Sequence, residues 1–192
     1  MKTTRAIAAA LALCIFVGAP QARAQAGRSP DHWVGTWATA VVPRPQTTPG
    51  QNGAPPAGRG QAPALNFNNQ TLRQIVHASI GGDRVRVVLS NAFGTTPLIV
   101  GAASVALRQR EASIVPSSAR ALTFGGSTAT TIAAGAVALS DAVGVALPAF
   151  ADLAVDVFLP GDTASSPSPL TTHAGAMQTS YFSTAGNHAG EK

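Results

Sequence analysis

The chain has 192 residues, with 13 Lys and Arg against 8 Asp and Glu, and one cysteine. That length suits one domain or a little more. Its cations are scattered, not gathered into the basic stripe that nucleic acid requires, so nucleic-acid binding is excluded.

The first 24 residues have the pattern of an export signal. Lys2 and Arg5 precede the apolar run Ala6 to Ala19, and Ala22-Arg23-Ala24 offers a small-x-small cleavage site, which predicts a mature start at Gln25 and a secreted or periplasmic product. The run is shorter than the roughly 20 apolar residues that span a bilayer, so no membrane span is expected after cleavage. A lipoprotein would need Cys14 as the acylated residue, and the bulky Leu13 before it opposes that. Cleavage would remove Cys14, and with it any disulfide, cysteine-ligated metal or thiol nucleophile. It would also remove three of the 13 cations, lowering the formal charge from +5 to +2.

A first strand-like run, Trp33 to Val42, is followed by a Pro/Gly-rich loop over 43–64, "PRPQTTPGQNGAPPAGRGQAP" from Pro43 to Pro63. Such a composition cannot bury enough surface to offset its ordering entropy. From Leu65 onward the pattern is all β. Over Leu72 to Ile80, Leu72, Val76, Ala78 and Ile80 fall on one face, with Arg73, Ile75, His77 and Ser79 on the other. Arg84 to Asn91 alternates Val85, Val87 and Leu89 against Arg84, Arg86 and Ser90. Gly81-Gly82-Asp83 between them suits a hairpin turn, because glycine tolerates positive φ.

Further strands are predicted at Ala102–Arg108, Arg120–Phe124, Thr128–Ile132, Ala136–Ser140, Leu153–Leu159 and Met177–Ser183. In Leu153–Leu159 the leucines and valines face inward, with Asp152 and Asp156 outward. Many short strands at regular spacing predict a β-sandwich or jelly roll over 25–183, with 184–192 as a tail.

Catalytic motifs are weak. Gly125-Gly126-Ser127-Thr128-Ala129 lacks the closing glycine of a nucleophile elbow and leads into a strand, so it reads as a β-turn. Gly161-Asp162-Thr163 has Thr where a nucleophilic Ser would stand, and the Ala-Ser-Ser-Pro-Ser-Pro after it cannot open a helix. The histidines, His32, His77, His173 and His188, show no H-x-H or H-E-x-x-H spacing, so no metal site or cofactor is expected. Trp33 and Trp37, with Gly35 between, would share one face of a strand. They are candidates for a saccharide platform or for aromatics closing the core.

The blocks "WVGTWATA" (33–40), "TLRQIVHASIGGDRVRVVLSNAFGTTPLIVGAASVAL" (71–107), "ALTFGGS" (121–127) and "DLAVDVFLPGDT" (152–163) together resemble secreted bacterial SGNH hydrolases, the GDSL-type lipase/esterase family. The likeness is to the β-rich region ahead of the catalytic domain in one branch. It spans most of 33–183, and 71–107 is its most specific part. The resemblance implies serine ester hydrolysis by a separate α/β domain carrying a Gly-Asp-Ser nucleophile, Gly and Asn oxyanion donors and a D-x-x-H motif. None of those blocks occurs here, and Asn91 in "SNAFG" does not map onto the oxyanion Asn, so no catalytic residue carries over.

The expectation is thus a non-catalytic β-domain, inactive alone, from a truncated or split gene, whose partner is an SGNH catalytic domain. Arg73, His77, Arg84 and Arg86 are the candidate interface. The alternative is a stand-alone carbohydrate- or surface-binding module using Trp33 and Trp37.

Overall fold

A computed structural model describes residues 32–44, 66–173, 176 and 178–192. Of these, residues from 35 onward belong to one compact unit, and 32–34 belong to another. The expected leader (1–24) and residues 45–64 of the Pro/Gly-rich segment lie outside the described residues. Pro43 and Arg44 are not loop: with Val42 they form β1 (Val42–Arg44), antiparallel to β13 (Leu170–Thr172). Of the run Trp33 to Val42, expected as a strand, only Val42 lies in one, and residues 33–41 have no regular structure.

The chain is all-β. A six-stranded antiparallel sheet runs in the order β14 (Ser180–Ala185), β2 (Gln70–His77), β12 (Asp152–Leu159), β6 (Ala102–Arg110), β7 (Ser113–Ile114), with β8 (Arg120–Ala121) also on β6. Three two-stranded sheets face it. They pair β3 (Gly82–Val85) with β11 (Val143–Leu147), β4 (Val88–Ser90) with β10 (Val137–Leu139), and β5 (Leu98–Val100) with β9 (Thr130–Ile132).

The core lies between these layers. Leu153, Val155, Val157 and Leu159 of β12, with Ala103 and Val105 of β6, pack against Val85, Val100, Ile132, Val145 and Leu147 from the facing strands. Burying each Val or Leu stabilises the fold by about 1.5–3 kcal/mol. The alternation expected for β12 holds on this face. On the other face it does not lead to solvent. Ile75, Ala106, Ile114 and Ala154 form a second, smaller core there, with Ala119 and Tyr181 packed on it. Ile75 is therefore buried, although it shares a face with Arg73 and His77, and Ile80, expected inside, is exposed.

The expected hairpin is absent. β2 pairs with β12 and β14, whereas β3 pairs with β11 in the facing layer. Two antiparallel ribbons, β2–β12 and β3–β11, are joined where residues 78–81 cross from layer to layer beside 148–151, and Ala78 N donates to Ala151 O at 2.9 Å in that crossing. Gly81 is required by packing and not by a turn. A Cβ there would lie 2.7 Å from Leu147 O and 2.9 Å from Ala149 N. Phe150 sits on the outside of the bend in the left-handed region (φ 61°).

Residues 184–192 are not a free tail. β14 extends to Ala185, and beyond it Gly186 N donates to Asn69 O (2.6 Å) while the Thr71 hydroxyl donates to Gly186 O (3.1 Å) and accepts from His188 N (2.9 Å).

Candidate functional site

The polar residues concentrate on the outer face of the six-stranded sheet, where antiparallel register makes them meet. Arg73 and His77 are four apart on β2, and Asp156 and Asp152 are four apart on β12. The pairing sets Arg73 opposite Asp156 and His77 opposite Asp152. On β6, Ser104 stands opposite Asp156, and Arg108, four further on, reaches Asp152.

The Arg73–Asp156 cluster is sealed. Arg73 donates from Nε to Oδ1 (2.6 Å) and from Nη2 to Oδ2 (2.8 Å), a two-pronged arrangement that fits guanidinium to carboxylate. The Asp156 carboxylate also accepts from the Ser104 hydroxyl (3.1 Å) and Gly190 N (2.7 Å). Arg73 further donates to Ala112 O (2.5 Å) and Glu191 O (2.7 Å). The hydrogen bond that Arg73 donates to Asp156 raises the Arg73 pKa. Asp156, expected to point to solvent, is 1% exposed. Residues 186–191 cover it.

The second cluster is open. His77 Nδ1 lies 2.8 Å from Asp152 Oδ1, and Arg108 Nη1 donates to Asp152 Oδ2 at 2.9 Å. The hydrogen bond with His77, followed by that with Arg108, holds the Asp152 carboxyl below the usual carboxylate range. The His77 side chain keeps 48% of its surface exposed. Its ring stacks on Phe150 (centroids 6.5 Å, 30° between planes), and the Phe150 side of this stack is 73% exposed.

The four basic residues named from the sequence do not form one surface. Arg73 and His77 project from the outer face of the large sheet. Arg84 and Arg86 are exposed on the facing layer, alternating with core-facing Val85 and Val87. Arg73 is engaged within the chain, which leaves His77 as the accessible member on its sheet. Trp37 is half-buried and meets His173 edge-on (5.6 Å, 77°), and His173 Nε2 in turn lies 2.6 Å from Gln74 Nε2. Trp33 is 40% exposed and belongs to the separate unit.

The two nucleophile-like motifs are structural. Phe124 and Ser127 bridge a tight turn through Gly125 (φ 61°) and Gly126 (φ 84°). The Asp141 carboxylate closes it, accepting from the Thr123 hydroxyl (2.6 Å) and from Gly126 N (2.8 Å). Thr163, in the serine position of Gly161-Asp162-Thr163, is buried as a clamp: its hydroxyl accepts from Phe67 N at 2.7 Å, and Thr163 N donates to Phe67 O at 2.8 Å. Among the described residues no serine hydroxyl is hydrogen-bonded to a histidine, the contact through which a histidine base activates a serine. Nor do three or more His, Cys, Asp or Glu among them gather as metal ligands. No helix among them is long and apolar enough to cross a membrane.

Asp152, Arg108, Phe150 and residues 186–191 were not singled out from the sequence. The signal for Asp152 was present: the basic pair Arg73/His77 and the acidic pair Asp152/Asp156 repeat one spacing. No protein-family model matches the chain, and no curated protein matches it significantly.

Proposed function

We propose that this chain is an exported, non-catalytic β-domain that partners the catalytic domain of an SGNH/GDSL-type ester hydrolase. The observation that carries this reading is the 71–107 block. Its resemblance to the leading region of those enzymes is the most specific in the sequence, and its residues build β2 through most of β6, the centre of the fold. The geometry is compatible with a partner role. His77, pinned by Asp152 and Arg108 and backed by the exposed Phe150, is a pre-ordered aromatic and charged patch of the kind that anchors interfaces.

The test uses the purified chain with p-nitrophenyl acetate and butyrate. No turnover above buffer is expected, and turnover abolished by His77→Ala or Ser127→Ala would overturn the reading. Titration with the isolated catalytic domain of a related SGNH hydrolase should give saturable binding; its absence would count equally against it. Intact mass of the exported protein should place the first residue at Gln25.

A further inference from the structure

Residues 186–191 form a strap across the sheet, and both ring nitrogens of His188 within it face acceptors. Nδ1 lies 2.7 Å from Glu191 Oε2, and Nε2 lies 3.3 Å from Ala185 O and 3.4 Å from the Thr184 hydroxyl. A neutral imidazole has one N–H and can serve either the carboxylate or the carbonyl; an imidazolium serves both. The same short segment carries the groups that seal the buried pair. Gly190 N donates to Asp156, and Glu191 O accepts from Arg73. Glu191 N also donates to His188 O at 3.1 Å, which ties the His188–Glu191 turn together. Beside the strap lies an open cleft of about 380 Å³, bordered by Ser104, Arg120, Leu122, Asn187 and Gly190.

We propose that residues 186–191 are a proton-sensitive latch, closed over the Arg73–Asp156 pair while His188 is protonated and loosened when it loses that proton. The bond to Glu191 and then that to Ala185 O raise the His188 pKa. A raised folded-state pKa adds stability that is complete below the unfolded histidine value, about 6.5, and is lost as pH rises through the folded value. The other charged or titratable groups around the strap are Arg73 on β2, Asp156 on β12, Arg120 on β8, Tyr181 on β14, and Glu191 and Lys192 beside His188.

The experiment is amide exchange on the full chain by NMR, with protection factors corrected for intrinsic exchange. Between pH 5.5 and 8.5 the Gly190 protection factor should fall about threefold, the scale of an exposed ion pair, while that of Val155 in the core holds. In His188→Gln, Gly190 should have the lower protection at both pH values, which separates His188 from the other groups. A pH-independent Gly190 amide, or the same fall in His188→Gln, would overturn the latch. In the unsubstituted chain the Gly190 amide shift and the His188 ring shifts should share one midpoint, and distinct midpoints would overturn it as well.

Discussion

Arg73 and Asp156 stand directly opposite each other on adjacent strands, joined by bonds of 2.6 and 2.8 Å, with side chains 11% and 2% exposed. Removing one member of such a pair leaves an uncompensated charge in a low-dielectric setting. Asp156→Ala should therefore cost about 3–5 kcal/mol in denaturant melts. Arg73→Met with Asp156→Leu should cost less than Asp156→Ala alone, because no stranded charge remains. The double variant would still lose the anchors of Gly190 and Glu191, and an equal loss from both would mean that the ion pair is not what the site depends on.

Asn91 gives a second test. It is 2% exposed, and its Nδ2 donates to Thr96 O (2.9 Å), Ile132 O (3.1 Å) and Ala133 O (3.2 Å), tying the loop after β4 to the end of β9. Asn91→Ala should destabilise by about 2–3 kcal/mol through unsatisfied carbonyls. Gly94→Ala should destabilise too, since a Cβ there would collide with the Asn91 side chain. If both variants melt like the parent, the loop is not held by this amide.

What could be read from the sequence depended on whether one strand carried the whole signal. β12 was legible because Leu153, Val155, Val157 and Leu159 alternate on a face that is apolar throughout. Asp156 was misplaced because its partner Arg73 lies 83 positions away, so an outward charge looked solvated. Gly81-Gly82 looked like a hairpin turn because glycine is ambiguous: at Gly81 it relieves contact with the Leu147–Ala149 backbone, not positive φ. β11 was missed because Gly144 and the exposed Ala146 leave only Val143, Val145 and Leu147 as a short apolar signal. Trp37 reads from the sequence either as a saccharide platform or as a core aromatic, and its contact with His173, again a long-range pairing, leaves no local signal.

Asp152 makes stability depend on acid. Its pKa is lowered by the hydrogen bond with His77 and then by Arg108, so its contribution is present above the unfolded carboxylate value, about 3.9, and fades as pH falls through the lower folded value. Substituting His77 with Ala should move the Asp152 titration upward, as followed by carboxyl ¹³C shifts. An unmoved midpoint would show that Arg108 alone holds the carboxylate.

Phe150 offers the last and most discriminating test, because two effects there oppose each other. A left-handed φ of 61° at a non-glycine residue costs roughly 1 kcal/mol or more, and the side chain is 73% exposed, so little burial offsets it. Phe150→Gly should then stabilise the isolated chain by about 0.5–1 kcal/mol, reduced by whatever the stack on His77 contributes. If the stack belongs to a partner-binding patch, the same substitution should weaken binding of the SGNH catalytic domain while the melting temperature rises. A residue kept against the preference of its own backbone for the sake of contact with another surface would show that split. Destabilisation by Phe150→Gly would instead mean that the ring holds the bend between the layers together.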